Sequence, residues 1–553
     1  MRRVAGRCAG LVVTILALGA AFGATGAVAD IIGPQNPDEP AADSPWQAGS
    51  CTSDAGPCSV DTPMQFFEGA AAHPPVGFTQ FIVNTEPGGL GPVPIGNLRT
   101  VRVDLPPGLT VNPQSSAEQC NLAPGGSPAF CPPGSKVGFS EVTATNPATG
   151  LSVDLPPADV FNLVPKEGEP GLFGLSLLGN DIFLESDIAW ESDYHEYFTI
   201  HVAKLSLPEL PLLGEFARVA KNRLVFDGTS GPDGTFITTP TTCLGPAVPG
   251  SALEHVYSTY LRADSYEEAN PTFPEGSPFI VSKIPRKPGE FETSPKGCGS
   301  IPFDPSISVD PNTAQADSPA GATVTVELPE VKGGGNRGSS QVRNATVTLP
   351  AGMGLNPSAA NGLKACTDEQ FGKGTRNPIA CPEASRIGTV EVDTPPLPNG
   401  SLSGPVYVGR QLSRDPASGD LYRIFVAAES SRYDISARLL GRASVDPQTG
   451  QVTTIFDDGA LGNVPLPGLP QVPFKSFRIK LDGGPTAALT SPPTCGPNAT
   501  GTEMTPWSSA QGSVPVGADG GPSGAPSALA SSEFTLTAAP GGAACAKTLA
   551  ERP

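Results

Sequence analysis

Three features of this sequence predict an all-β fold of tandem β-sandwich-like modules with few short helices. Short runs of Val, Ile, Phe and Leu recur between turns rich in glycine and proline (65 and 64 of 553 residues), and helical periodicity is nearly absent. Shifted by 244 residues, the sequence meets itself. Beyond Cys8 it carries ten cysteines, an even number.

The N-terminus reads as an export signal. Arg2, Arg3 and Arg7 precede an apolar stretch from Leu11 to Ala24, and Ala27-Val28-Ala29 is a small-residue cleavage site. Residues 1–29 are therefore expected to be removed, with the mature chain starting at Asp30. The alternative is an uncleaved anchor, against which the stretch is short and glycine-rich. Cys8 precedes the apolar stretch and is not placed as a lipoprotein anchor. No later segment reads as a membrane span, so the mature chain is expected to be secreted, free or held non-covalently at the cell envelope. The formal charge is −20, and losing the three signal arginines takes it near −23. Such a surface argues against nucleic acid and anionic membranes as partners. Its acids are scattered, as on a solvated face.

The repeat fixes the domain plan. Val103-Asp-Leu105-Pro106-Pro-Gly108 lies on Val347-Thr-Leu349-Pro350-Ala-Gly352, and Asn112-Pro113 lies on Asn356-Pro357. With small insertions, Cys131-Pro132 meets Cys381-Pro382, Ser135-Lys-Val-Gly138 meets Ser385-Arg-Ile-Gly388, and Val160-Phe161 meets Val406-Tyr407. A period near 250 residues is far above that of solenoids and propellers, so it reads as a domain duplication. The expected plan is a signal (1–29), an extended N-terminal arm (30–60), and two β repeats (61–300 and 301–553). About 245 residues is large for one sandwich, so each copy could itself divide.

Within a copy, Thr100–Leu105 and Asn344–Leu349 alternate apolar and polar residues, as half-buried strands do. Leu-Pro-x-Gly ends each, since proline lacks a ladder donor and glycine permits the turn. Ser115 and Ser358 are placed as N-caps of short helices leading to Cys120 and Cys366. Val445-Asp-Pro-Gln-Thr-Gly-Gln-Val452 reads as a hairpin, with Gly450 at positive φ. Phe474–Leu481 reads as another strand.

In an exported chain ten cysteines read as disulfides. Cys51 and Cys58, alone in the arm, are expected to pair. The matching order of the rest gives Cys120–Cys131 and Cys243–Cys298 in the first copy, Cys366–Cys381 and Cys495–Cys545 in the second. The alternative, a metal site, lacks Cys-x-x-Cys spacing and any histidine common to both copies.

Catalytic signatures are missing: there is no nucleophile elbow, zinc-protease motif, P-loop, dinucleotide fingerprint or EF-hand loop. The four histidines are His73, His195, His201 and His255. The patch Glu191-Ser-Asp193-Tyr194-His195-Glu196-Tyr197-Phe-Thr-Ile-His201 is the strongest candidate. On a strand extended back to His195, both imidazoles share a face and, with Asp193 or Glu191, could hold a divalent metal. The bland alternative is a polar strand face beside a turn, and the latter is favoured. The second copy offers Glu429-Ser-Ser-Arg-Tyr433-Asp434-Ile-Ser there, without histidine. Asp457-Asp458-Gly459 and Pro232-Asp233-Gly234 read as turns before calcium loops. Trp190 and Trp507 read as core before sugar platforms. No catalytic, cofactor or metal residue is assigned, and no cofactor is called for.

The motifs at Leu349–Gly388, Gly404–Tyr407, Asp446–Gly450, Thr490–Gly496, Trp507 and Cys545 resemble the long repeat of an uncharacterised family of exported actinobacterial proteins. The first copy departs from it, lacking a clear Gly-x-Val-Tyr and carrying Leu244 where Gly496 stands. The resemblance implies an exported repeat protein and transfers no ligand or active residue. The leading expectation is a non-catalytic extracellular protein: a spacer, adhesin or binding module with an extracellular or cell-envelope ligand. The runner-up is a secreted hydrolase or carbohydrate-active enzyme with an unmarked acidic site.

Overall fold

A computed structural model describes residues 31–33, 45–52, 66–189, 193–214, 216–243, 258–275, 280–281, 295–330, 337–375, 377–415, 418, 420–458, 469–509 and 527–551. The signal segment, Cys58, Trp190, Glu191, Leu244, His255 and Gly459 lie outside them.

Most described elements are strands, with a few short 3₁₀ turns, and the α-helix among them is the single turn Asp368–Phe371. Two large antiparallel sheets divide the chain. The first runs, in hydrogen-bonded order, through Trp46–Cys51, Val76–Ile82, Arg218–Asp227, Lys136–Thr145, Ala158–Leu163, Gly171–Leu177, Asn180–Ile188, Glu196–His201, Leu98–Asp104, Tyr260–Ser265 and Ile280–Val281. Ser152–Asp154 adds to Lys136–Thr145 off this path. The second runs through Ser306–Pro311, Ala322–Glu327, Ser476–Leu481, Arg386–Asp393, Leu402–Gly409, Tyr422–Ser430, Ile435–Val445, Val452–Asp458, Val342–Thr348, Gly496–Pro506 and Ala528–Leu536. Place by place, both sheets follow one strand order.

Both sheets also curl so that their ends meet. Trp46 Nε1 on the first strand donates to Thr259 O beside Tyr260–Ser265 (2.9 Å). Val309 N on Ser306–Pro311 donates to Ser532 Oγ on Ala528–Leu536 (2.8 Å). A curled sheet buries one face. In the first unit that face is filled by four phenylalanines, with Phe173 at 6.0, 5.6 and 5.8 Å from the rings of Phe198, Phe226 and Phe236. Trp46–Cys51, expected within an extended arm, is a paired strand, and the Trp46 side chain is fully buried. Its apolar start explains this: the indole offers more buried area than any nearby side chain.

The Cys-Pro-x-x-Ser-x-x-Gly motif forms the same device twice. Ser135 Oγ donates to Pro132 O (2.8 Å) and Ser385 Oγ to Pro382 O (2.6 Å), each closing a short 3₁₀ turn. The strand that follows carries a bulge, between Lys136 and Gly138 and between Arg386 and Gly388. A Cβ at Gly138 would lie 2.1 Å from Val225 O, and one at Gly388 2.2 Å from Lys480 O. Glycine is required there by the approach of the neighbouring backbone.

Disulfides link Cys120 to Cys131, Cys243 to Cys298, Cys366 to Cys381, and Cys495 to Cys545. Cys51 is also disulfide-bonded. Cys120 N donates to Asn162 O and Cys366 N to Val408 O (2.8 and 2.9 Å), laying each disulfide loop over the outer face of its sheet. The helix caps differ from expectation. In the second unit Asn356, not Ser358, caps the 3₁₀ turn Pro357–Ala360, accepting from Ser358 N (3.0 Å). In the first unit no helix forms after Ser115, whose Oγ donates to Asn112 O (3.1 Å). The Asn of Asn-Pro wins because its side chain reaches the next free amide while proline takes the first helical position. The Val445–Val452 hairpin forms, with Gly450 at φ 68° and Gly450 N donating to Asp446 O (2.8 Å).

Gly138→Ala and Gly388→Ala are each expected to lower stability by about 2 kcal/mol or more, because backbone must move. Gly501→Ala, where a Cβ meets nothing within 4 Å, is the control and should change it by less than about 0.5 kcal/mol. Urea melts of the three variants check this, and equal midpoints would refute the close-approach account.

Candidate functional site

His195 lies just before the strand Glu196–His201, on the outer face of the first sheet. Its Nδ1 meets Asp193 Oδ1 and its Nε2 meets Asp104 Oδ1 (3.0 Å). Arg102 forks onto the same Asp104 (2.6 Å) and stacks 3.6 Å over the Tyr197 ring, whose hydroxyl donates to Asp187 Oδ2 (2.6 Å). Burial pushes the imidazole down, but its hydrogen bonds to both carboxylates outweigh it and hold His195 up to about 9. Burial pushes Asp104 and Asp193 up, yet His195, and for Asp104 also Arg102, bring both below the ordinary carboxylate range. His195 is thus a cation between two anions at neutral pH, engaged at both nitrogens and unsuited to bind metal.

His201 does share the even spacing with His195. Six residues at roughly 3.3 Å each separate them by about 20 Å, too far for one ion. His201 is exposed, with Nε2 3.8 Å from Glu185. No group of three or more His, Cys, Asp or Glu placed to hold a metal occurs among the described residues. The strand order also corrects the pairing of this patch with Glu429–Ser436. Asn180–Ile188 and Ile435–Val445 hold the same place, so the connection from Asn180–Ile188 to Glu196–His201 corresponds to the turn Asp446–Gln451. Pro232-Asp233-Gly234 is a turn, Gly234 N donating to Gly231 O (3.2 Å). Trp507 is buried, its Nε1 donating to Leu469 O (3.0 Å).

A different feature is built by the other side of the same patch. A cavity of about 210 Å³ occupies one end of the second unit. Its walls are apolar, from strands carrying Val326, Val347, Ala428, Leu439, Phe456 and Ile479. Its roof comes from the first unit: Leu109–Val111, Pro113, Ile188, Tyr194 and Glu196. The units are joined beside it by Arg432 of the second, whose guanidinium donates to Pro165 O (2.5 Å) and Lys166 O, while Gly168 N donates to Arg432 O (2.9 Å).

Beside the cavity the described residues of the two units differ. In the first unit Val202 N donates to Arg99 O and Val202 O accepts from Tyr266 Oη (2.9 and 3.0 Å). In the second, Leu469 holds that place, with its N on Arg343 O and its O on Trp507 Nε1 (2.7 and 3.0 Å). After Val202 the first unit inserts a loop whose Leu205, Leu207 and Leu213 are 2%, 1% and 0% exposed in its core. After Leu469 residues 470–475 lead straight into Ser476–Leu481. Among the described residues of the second unit the leucine plug has no counterpart. Strand registers further place Ile424, Thr454, Leu481 and Ala488 where the first unit has Phe173, Phe198, Phe226 and Phe236, and Ala428 where it has Leu177.

Besides Thr110, Ser186 and Thr394, two titratable side chains face this space. Tyr194 packs against Ile188, Ala437 and Val472 with its hydroxyl buried beside the Arg438 backbone and its proton lacking an acceptor. Its φ of 62° is left-handed, which a tyrosine rarely adopts. Burial drives the hydroxyl's pKa up. Glu196 accepts from Val111 N (2.8 Å), and burial pushes its carboxyl up to about 8 despite that bond. Both residues stand in the patch that the sequence singles out, although the histidines drew attention to it. A lone carboxyl beside apolar strand residues is the signal that could have found Glu196.

No family model and no curated protein matches the chain. Among solved structures, the type II cohesin dyad from the adaptor ScaA scaffoldin of Acetivibrio cellulolyticus aligns over 79% of this chain and 90% of its own, at 8% identity and a TM-score of 0.13. A superposition at that level carries nothing to this chain.

The titrations set a pH profile. Folded Glu196 holds its proton to about pH 8, against 4.5 ordinarily, so the native state binds more protons between these values and stability falls as pH rises through them. His195 acts with the same sign: its stabilisation is full below 6.5 and lost as pH climbs through about 9. The lowered Asp104 and Asp193 act oppositely, losing stabilisation as pH falls below the ordinary 3.8. The melting temperature is expected to peak near about pH 5 and decline toward pH 9. Glu196→Gln should flatten the acid half of that decline and leave the alkaline half. An unchanged profile in the variant would refute the assignment.

Proposed function

We propose that this chain is an exported, non-catalytic extracellular binding module made of two copies of one disulfide-stapled β unit. The first copy is the filled scaffold and the second is the ligand-holding copy. The hollow second core roofed by the first carries this reading. Glu196 is the lone carboxylate among the described residues around that cavity, whereas hydrolysis by paired carboxylates needs two acids flanking one bond. The described disulfides fit an oxidising compartment. No described helix is long and apolar enough to cross a membrane. The signal-like N-terminus and the resemblance to exported actinobacterial repeat proteins support the same reading, with a ligand outside the cell or in its envelope.

The test uses residues 30–553 recovered from an oxidising secretion host. Chromogenic acyl esters and glycosides should show no turnover above buffer, and small aromatic hydrocarbons should raise the melting temperature saturably. Turnover that Glu196→Gln abolishes would establish the hydrolase instead. Neither turnover nor stabilisation by any compound would reduce the chain to a spacer.

A further inference from the structure

We infer that the cavity is a binding site for a small, uncharged, mostly hydrocarbon molecule with one hydrogen-bonding oxygen, seated with that oxygen against Tyr194 and Glu196. This rests on the binding-module reading and names the ligand class. The volume comes first. A purely apolar cavity of about 150 Å³ takes benzene. At about 210 Å³ this one holds a ring plus a short substituent, and excludes a sugar chain or peptide. The lining comes second. Val, Ala, Leu, Ile, Phe and Met side chains supply most of the wall, so a charged or many-hydroxyl ligand would lose its hydration without replacement partners.

The polar end comes third. The Tyr194 hydroxyl is buried with the Arg438 backbone against its oxygen, and its proton has no acceptor, an arrangement that buried polar groups seldom keep. Glu196 lies two residues further along, also on the cavity wall, with one carboxyl oxygen accepting from Val111 N. A ligand carbonyl or ether oxygen can accept from Tyr194 Oη, and the carboxyl of Glu196, neutral below about pH 8, offers a second donor. The backbone at Tyr194 is held in the left-handed region, and such strain persists where surrounding structure imposes it. An amine or a carboxylate ligand fits less well, since no described cavity-lining side chain other than Glu196 carries charge.

Acetophenone and ethylbenzene are near-isosteric probes that differ in the oxygen, and phenyl acetate is their ester relative. Calorimetric titration of the full mature chain at pH 6 should find acetophenone bound about tenfold tighter than ethylbenzene. Tyr194→Phe, which keeps the ring, should cut that preference several-fold while leaving ethylbenzene affinity within about twofold. Ala428→Leu, which installs the side chain the first unit has at this place, should weaken both probes at least tenfold and raise the melting temperature. Equal affinity of both probes in the parent chain overturns the oxygen-specific site while the binding-module reading stands. Binding unaffected by Ala428→Leu overturns the location. Hydrolysis of phenyl acetate that is lost in Glu196→Gln overturns the module reading itself.

Discussion

The close approach of two backbones at Gly138, and again at Gly388, is the constraint on which each unit is built. The strand Lys136–Thr145 pairs on one side with Ala158–Leu163, its near neighbour in sequence, and on the other with Arg218–Asp227, more than seventy residues away. It therefore joins the local meander to the long-range strands that close the sheet. A side chain at the bulge would push Val225 O away at the point where these two kinds of pairing meet. The preceding disulfide, 3₁₀ turn and serine bond deliver the chain to that point in one geometry. Long-range pairing carries the larger entropic cost, so it is there that a covalent staple and a rigid turn contribute most.

With one strand order held in both halves, the differences between them become interpretable. Setting smaller side chains where the first unit has four phenylalanines is expensive if the space stays empty. At roughly 24 cal/mol per Å³, a void of this size costs on the order of 5 kcal/mol. That is comparable with one or two disulfides at about 2–4 kcal/mol each. An empty core of that cost is hard to explain as neutral drift in a chain whose other copy is filled.

The sequence made the β class and the strand–turn grammar legible because both are local. Alternation in Thr100–Leu105, Asp-Pro-Gln-Thr-Gly between Val445 and Val452, and the recurring Ser-x-x-Gly each act over a few residues. The site was less legible, for two physical reasons. Even spacing placed His195 and His201 on one face, but a face says nothing of distance along the strand, nor that Asp104, ninety-one residues upstream, would already occupy the imidazole. The cavity is lined by side chains of both units that lie far apart in the sequence, which leaves no local motif. The equivalence of Val202 and Leu469 emerges only from shared hydrogen bonds, since the residues resemble each other in nothing but apolarity. The correspondence of the connection before Glu196–His201 with the Asp446 turn likewise follows from strand order, where unequal insertions had misled the sequence comparison.

The site also explains why the two copies belong in one chain. The walls of the cavity come from the second unit, but Tyr194, Glu196 and Val111 come from the first. A single unit of either kind holds half a site: a filled barrel with a polar loop, or a hollow barrel with an uncovered mouth. The two units share one strand order, and loops of the first cover the cavity of the second. Arg432 bonds to Pro165 and Lys166, and these contacts, together with Gly168 on Arg432, fix the lid where the polar pair overlooks the apolar space. The chemistry at Glu196 follows from that placement. Set on the outer face, as Asp104 is, the same carboxyl would be ionised and paired, and facing the hollow of its neighbour it keeps its proton.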